Sequence, residues 1–252
     1  MVRTRAADAM NTTEKTTLVL ASRNRKKLRE IADLLTRLDV VLVSAADFPG
    51  APEVAETGRT FAENAALKAA TIAAATGHWT IADDSGLAVD ALDGAPGVYS
   101  ARYAGPQSND QQNNEKLLTQ LRDLSDQRRG AQFVCCLALA DPQGTIRVQV
   151  EGRCRGQLLH EPRGQNGFGY DPLFWIPEYR KTFAELTLTA KSVLSHRARA
   201  FEKLIPRLGQ WVSPSACTAH HFSDGDQNQW ECASSAKAAM RDAAPRVQRT
   251  EA

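Results

Sequence analysis

Two adjacent carboxylates, Asp83 and Asp84, interrupt an apolar stretch of the chain and are followed by Ser85 and Gly86. An apolar run precedes them, and another resumes at residues 87–89. We therefore predict two strands that meet at an acidic turn, where carboxylate oxygens could hold a divalent cation and activate a water molecule. Asp, Ser and Gly are also ordinary turn residues, so by itself the segment is typical of a solvated hairpin turn, which is the simpler interpretation.

A second polar group surrounds the predicted start of the first helix. Residues 18–21 are typical of a buried strand, and Asn24 then caps a helix in which Leu28 and Ile31 recur at helical spacing. A helix that begins directly after a strand places its N-terminus at the carboxyl end of the sheet, which favours phosphate binding. The candidate triphosphate-binding residues are Ser22, Arg23, Asn24, Arg25, Lys26 and Lys27. They lack the glycine spacing of a Walker loop, which disfavours a P-loop NTPase, while an ordinary cap with a solvated basic turn stays open.

Residues 164–172 form a glycine-rich segment that carries two aromatic residues, Phe168 among them, and a carboxylate. Glycines let a backbone approach a ligand closely, and a ring can stack on a base, so the segment fits a nucleotide pocket as well as a plain connection. Further along, Lys191 and the pair His196-Arg197 place cations and donors just before or within the last predicted helix. Standing alone, such a pair is typical of a solvated helix face.

The rest of the pattern predicts alternating strands and helices. Thr60 and Glu63 form a capping box that opens an alanine-rich helix to about residue 75. Further elements are predicted at residues 40–43 (a strand), 117–124 (a helix), 133–154 (a long antiparallel hairpin) and 194–208 (the last helix). We infer an α/β protein with a mixed β-sheet flanked by helices, because helix crossovers and a long hairpin both occur.

Composition narrows the class of protein. The chain has 252 residues, 42% of them hydrophobic, and its 31 basic and 29 acidic residues are interspersed, which offers no electrostatic case for nucleic acid. No apolar run reaches transmembrane length and the N-terminus lacks a signal-like apolar region, so we expect a soluble, cytoplasmic protein without a membrane partner. Five cysteines, two of them adjacent, do not suggest a disulfide framework.

The two ends of the chain differ in composition from the middle. Residues 1–16 are polar, and we expect a flexible extension there. From residue 213 onward there is neither leucine nor isoleucine, so we assign the folded domain to residues 17–211 and a disordered tail to residues 212–252. Potential zinc ligands occur in the tail: Cys217, His220, His221 and Cys232. Their spacing matches no standard structural zinc pattern, so incidental composition is the better interpretation.

Taken together and in order, six segments resemble the inosine triphosphate pyrophosphatase family, also called Ham1-like proteins. They run from residue 18 to about residue 208 and cover the predicted domain. The segments are Ser22-x-Asn24-x-x-Lys27; Glu56-Thr57-Gly58 with Phe61-x-Glu63-Asn64-Ala65-x-x-Lys68-Ala69; residues 82–87; residues 94–103; residues 167–172; and Lys191-Ser192 with Ser195-His196-Arg197. Each segment alone is a weak signal, whereas six in the right order are very specific.

The resemblance implies a homodimer with two lobes, a central nucleotide cleft, and Mg²⁺-dependent hydrolysis of ITP, dITP and XTP to the monophosphate and pyrophosphate. It implies that residues 22–27 bind the triphosphate with help from Lys68, and that Asp84 is both general base and metal ligand. Glu56 and Asp83 would be the other metal-binding carboxylates, and Ser85 a substrate contact. The residues implied around the nucleotide and its base are Phe168, Gly169, Tyr170, Asp171, Lys191, His196 and Arg197.

Two departures and two alternatives accompany this interpretation. Arg23 and Lys26 occupy positions where relatives often have glycine, and residues 188–190 are less acidic than usual before Lys191. A Maf-like pyrophosphatase acting on modified pyrimidine nucleotides would have a similar architecture with different motifs. A nucleotide-binding protein that has lost catalysis is the alternative from another functional class.

Overall fold

The computed structural model describes residues 15–212. Residues 1–14 of the expected extension and residues 213–252 of the expected tail, with its four potential zinc ligands, lie outside the described residues. Between residues 15 and 212, no helix is both long and apolar enough to cross a membrane.

Within residues 15–212, seven strands form one mixed sheet in the order β2-β1-β3-β4-β5-β6-β7. The strands are β1 (Thr16–Leu20), β2 (Val40–Ser44), β3 (Trp79–Val89), β4 (Gly130–Ala140), β5 (Ile146–Leu158), β6 (Phe174–Ile176) and β7 (Lys181–Thr182). β1 pairs in parallel with both β2 and β3, and every later pairing is antiparallel. The α/β fold with a mixed sheet and the long β4–β5 hairpin are confirmed.

In the described part of the chain, five α-helices accompany the sheet: α1 (Arg25–Leu34), α2 (Phe61–Thr76), α3 (Asp110–Gln120), α4 (Leu188–Leu194) and α5 (His196–Val212). The Asn24 cap is as predicted, because its side chain accepts from N–H groups at the start of α1. The capping box predicted at Thr60 is only half formed: the Thr60 side chain accepts from Glu63 N, but the Glu63 carboxylate accepts from Arg59 N at 2.7 Å and not from Thr60 N. Our prediction of one continuous last helix is wrong. Ser195 adopts an extended conformation between α4 and α5, so Leu194 belongs to α4.

The acidic turn predicted at Ser85 and Gly86 is also wrong, because β3 runs through it as one continuous strand. β4 pairs with β3 without interruption from Thr80 to Val89. Gly86 serves a close backbone approach here, since a Cβ at this position would lie 2.3 Å from Oγ of Ser100. Carboxylates can be buried in the middle of a strand only if they pair with cations. Side chains of the helices provide these cations.

The apolar core is divided into three clusters by the faces and the length of the sheet. Side chains alternate along β3, so Ile81 packs with residues of α1 and α5 on one face, while Ala82 packs with residues of α2 on the other. Further along β3, Leu87 joins a third cluster with Phe174. Residues 83–86 therefore lie where β3 passes between the clusters.

Candidate active site

The site begins where β1 stops and β3 continues. The last pairing of β1 with β3 joins Leu20 to Ile81, and beyond it the edge of β3 is no longer covered by β1. The main-chain carbonyl of Asp83 accepts hydrogen bonds from Nζ of Lys27 at 3.4 Å and from Nζ of Lys68 at 3.0 Å instead. Two side-chain cations thus take the place of a neighbouring strand at the carboxyl end of β1, which is where open α/β sheets usually bind ligands.

The carboxylate of Asp83 is buried and fully engaged. It accepts hydrogen bonds from Nζ of Lys27 (2.8 Å), Nε of Arg197 (2.7 Å), Oγ of Ser85 (2.8 Å) and Sγ of Cys135 (3.3 Å). Burial alone would raise the pKa of Asp83, but the Arg197 and Lys27 cations hold it well below its ordinary value. Both oxygens are occupied by protein donors, and the metal-binding role of Asp83 stays a prediction.

Asp84 belongs to a separate charged group on the opposite face of the sheet. Lys68 Nζ donates to Oδ1 of Asp84 at 2.7 Å and to Oε1 of Glu56 at 2.8 Å, so one ammonium joins two carboxylates. Arg102 reaches the second oxygen of Glu56 at 3.3 Å. Oδ2 of Asp84 is buried and has no hydrogen-bond partner among the described residues.

The two carboxylates joined by Lys68 differ in their basicity. Burial raises the pKa of Asp84 and the neighbouring Glu56 carboxylate adds to the rise, while the Lys68 ammonium opposes it. Burial also disfavours the charge of Glu56, yet the Lys68 ammonium holds the pKa of Glu56 below its ordinary value. A carboxylate with raised basicity and an unused oxygen can accept a proton from water or bind a cation, and Asp84 has both properties.

The start of α1 lines a cavity beside β3. Ser22, Asn24 and Lys27 line a cavity of about 280 Å³ that also reaches Glu56 and Lys68. The cavity therefore brings the predicted triphosphate-binding turn, the Glu56 carboxylate and the ammonium groups of Lys27 and Lys68 around one space.

The remaining residues of this turn differ in their placement. Arg23 lines the same cavity and donates to the main-chain carbonyl of Ala51 at 3.3 Å. Lys26 is exposed, and its Nζ lies 5.7 Å from the centre of the Phe168 ring. Arg25 is exposed and lines neither this cavity nor the adjoining cavity that contains Phe168.

An adjoining cavity of about 160 Å³ shares Asn24 and Lys27 with the first. Its lining includes Phe168, which lies among cations: Nζ of Lys191 is 5.1 Å from the ring centre and the Arg197 guanidinium carbon is 5.9 Å away. An aromatic face beside several cations suits a flat, electron-rich ligand. Further predicted site residues in this lining are Ser85, Gly169, Tyr170, Asp171 and His196.

His196 is buried in this second cavity as a neutral imidazole. Its ring stacks on Phe133 at a centre-to-centre distance of 4.7 Å. Burial and the adjacent Arg197 charge hold the pKa of His196 well below its ordinary value. Its Nδ1 has no hydrogen-bond partner among the described residues, so a polar atom is available inside a cavity that is otherwise rich in donors.

Glu30 on α1 is a site residue that the sequence analysis missed. Its carboxylate accepts from Nζ of Lys191 at 2.8 Å and from Nη1 of Arg197, while Lys191 also donates to Asp171 at 2.7 Å. Glu30 lies one helical turn after Lys27, a candidate phosphate-binding residue. This i, i+3 spacing was the signal in the sequence that could have identified Glu30. It connects α1 to Lys191 of α4 and Arg197 of α5.

Residues 18–207 match the Ham1 family over three quarters of the chain. The chain belongs to the Ham1 family. It is 51% identical over 202 residues to the dITP/XTP pyrophosphatase of Rhodopirellula baltica, covering 80% of this chain and 97% of that relative. It is 48% identical over 195 residues to the dITP/XTP pyrophosphatase of Bacillus anthracis, covering 77% and 96% of the two chains. The resemblance inferred from the six segments is confirmed.

Solved structures agree with this Ham1 assignment. The HAM1 protein from Coxiella burnetii superposes with a TM-score of 0.71 at 41% identity, covering 77% of this chain and 99% of that one. The nucleoside-triphosphatase / dITP/XTP pyrophosphatase from Mycobacterium abscessus superposes with a TM-score of 0.62 at 49% identity, covering 76% and 100%. The mixed sheet and its flanking helices are therefore those of Ham1 proteins.

Proposed function

We propose that this chain is a hydrolase that converts the non-standard purine nucleoside triphosphates ITP, dITP and XTP to the monophosphate and pyrophosphate. The observation that carries the proposal is the Asp84–Lys68–Glu56 group, with its free Asp84 oxygen, at the edge of a cation-lined cleft. The printed activity of the relatives, dITP/XTP pyrophosphatase, supports the substrate class.

Mg²⁺ fits the residues present. This ion usually binds through one or two carboxylates and completes its shell with water and substrate phosphates. Asp84 and Glu56 would hold it, because Oδ2 of Asp84 lacks a protein partner and Glu56 lies on the same ammonium. When bound, the ion would neutralise charge on the triphosphate oxygens. The described residues contain no cluster of three or more acidic, His or Cys ligands.

The protein groups divide the remaining work of the reaction. Lys27, Lys68 and the start of α1 hold the phosphates, and the Asp84 carboxylate orients a water molecule and accepts its proton. The water oxygen forms a new P–O bond as the bond between the α and β phosphates breaks, and pyrophosphate leaves with the pair of bonding electrons. The raised pKa of Asp84 makes it a better base than an ordinary aspartate for this step.

Base selection follows from the donors around Phe168. Hypoxanthine and xanthine present a carbonyl acceptor at position 6, where adenine presents an amine donor, so Lys191, Arg197 and the loop amides favour the oxo bases. Guanine shares this carbonyl but adds a 2-amino donor. That amino group would lie beside the Lys191 and Arg197 cations, which are themselves donors, and this disfavours guanine. We extend the proposal to a cytoplasmic homodimer on the family resemblance alone.

A panel of nucleotides with detection of released pyrophosphate tests the proposal. We expect Mg²⁺-dependent release from ITP, dITP and XTP, with ATP and GTP at least about tenfold poorer by kcat/KM, the scale of one lost hydrogen bond in a specific pocket. Preferential cleavage of 5-methyl-UTP would favour the Maf-like alternative. Nucleotide binding without release would favour a non-catalytic protein, and either result contradicts the proposal.

A further inference from the structure

Phe168 lies in the glycine-rich loop of residues 164–172, here called the Phe168 loop. The backbone of this loop is held by α3, a helix that lies outside the six family segments. The N–H of Gly169 donates to Oδ2 of Asp110 at 2.8 Å, and the carbonyl of Gly169 accepts from Nδ2 of Asn114 at 3.0 Å. Asp110 and Asn114 are four residues apart, so both lie on one face of α3. One face of one helix thus binds both polar backbone groups of a single loop residue.

These two contacts are the local support for Gly169. Its φ is +61°, a conformation that glycine adopts without strain, and no atom lies within 4 Å of the position that a Cβ would take. The loop is therefore open on that side. Asp110 holds it by the N–H and Asn114 by the carbonyl.

The position of this glycine determines where Phe168 lies. Phe168 precedes Gly169, and its own N–H donates to Oδ2 of Asp171 at 2.9 Å. Asp110 also lies 4.0 Å from Nζ of Lys26, the cation that approaches the Phe168 ring from the phosphate-binding turn. Asp110 therefore contacts both the phosphate-binding turn and the loop that carries the aromatic ring.

We infer that Asp110 and Asn114 are positioning residues for base selection: they hold Gly169 so that the Phe168 ring covers the base at a fixed distance from it. This inference rests on the proposed function. A ring held at a fixed distance leaves no room to shift, so an unmatched 2-amino group on the base cannot be accommodated by movement of the loop. Neither residue contacts the Asp84–Lys68–Glu56 group, so the chemical step itself does not depend on them.

Asn114→Ala is the primary variant, because alanine keeps the helix intact while the amide donor is lost. Glu115→Ala is the matched control: Glu115 is the next residue of α3, is exposed, and its carboxylate accepts from Gln111 on the same helix, at 2.8 Å. Asp110→Asn keeps an oxygen for the Gly169 N–H, whereas Asp110→Ala removes it. We expect Asp110→Asn to lie close to wild type and Asp110→Ala to behave like Asn114→Ala.

Kinetics with dITP and dGTP provide the first measurement. In Asn114→Ala we expect KM for dITP to rise about fivefold, the effect of one lost hydrogen bond, with kcat within about twofold of wild type. The ratio of kcat/KM for dITP over dGTP should fall by a similar factor, and Glu115→Ala should keep the wild-type ratio. A uniform loss of kcat for both nucleotides with an unchanged ratio would indicate a purely structural role and overturn the inference.

Hydrogen exchange without nucleotide provides a measurement that does not depend on activity. The peptide covering residues 164–172 should exchange about fivefold faster in Asn114→Ala than in wild type or Glu115→Ala. A wild-type protein that releases no pyrophosphate from any purine nucleotide contradicts the proposed function. An active wild type whose Asn114→Ala variant keeps both the wild-type exchange rate and the wild-type selectivity contradicts this inference instead.

Discussion

Asp83 and Asp84 are adjacent on β3, and their carboxylates lie on opposite faces of the sheet. Asp83 meets Lys27 and Arg197, while Asp84 meets Lys68. The alternation of side chains along a strand produces this separation. Two identical residue types thus enter different surroundings: Asp83 is saturated with donors and has a depressed pKa, whereas Asp84 keeps a free oxygen and has a raised pKa.

Asp84→Asn should remove catalysis and preserve the fold. The amide keeps the shape of the side chain but removes its charge and basicity, so we expect kcat to fall by a factor of about a hundred or more, the scale of a lost general base. The melting temperature should hold or rise, because burial disfavours the Asp84 charge. Steady-state kinetics and thermal melting on one preparation test this, and an active but destabilised variant would contradict the catalytic assignment.

Asp83→Asn should show the opposite pattern and is the matched comparison. It leaves the buried Arg197 and Lys27 charges without their shared carboxylate, so the free energy of unfolding should fall by about 3 kcal/mol. Urea denaturation near neutral pH measures the difference. If Asp83→Asn were as stable as wild type and inactive only for lack of metal binding, then the predicted metal role of Asp83 would be correct and the supporting role wrong.

Glu30→Gln should impair nucleotide binding without disturbing the Asp84 group. The substitution keeps the shape of the side chain but weakens the hold on Lys191 and Arg197, so kcat/KM for dITP should fall by about tenfold, mainly through KM. Asp33→Asn, which changes an exposed carboxylate on the same helix, is the control and should be neutral. Unchanged kinetics in Glu30→Gln would show that Glu30 is not needed to orient the two cations.

His196 should make stability depend on pH. An unfolded histidine takes up a proton near its ordinary pKa of 6.5. His196 in the folded protein does not, because burial holds its pKa well below that value. Its contribution to stability is thus fully present above about pH 6.5 and is lost as the pH falls toward the folded pKa, by up to about 1.4 kcal/mol per pH unit. The free energy of unfolding should therefore fall more steeply between about pH 7 and about pH 5 in wild type than in His196→Asn. Parallel pH curves for the two proteins would contradict the neutral, buried state of His196.

Local signals in the sequence were sufficient for most of the secondary structure. The strand before α1, the Asn24 cap, the start of α2 at Thr60 and the β4–β5 hairpin were predicted correctly. These features depend on hydrogen bonds and periodicity between residues close in the chain, which a sequence displays directly. The order of the six segments was likewise enough to identify the family, since it needs no knowledge of contacts.

Only the tertiary structure decided how the charges are shared. The cations that meet Asp83 come from positions 56 and 114 residues away, so nothing near Asp83 and Asp84 in sequence distinguishes a solvated turn from a buried strand. The role of Glu30 was hidden for the same reason, because Lys191 lies 161 residues further along the chain. A carboxylate can bind a ligand, stabilise the fold or take part in catalysis. Which of these it does depends on the charges that the fold brings within a few ångströms of it and on how much water the fold removes from around it.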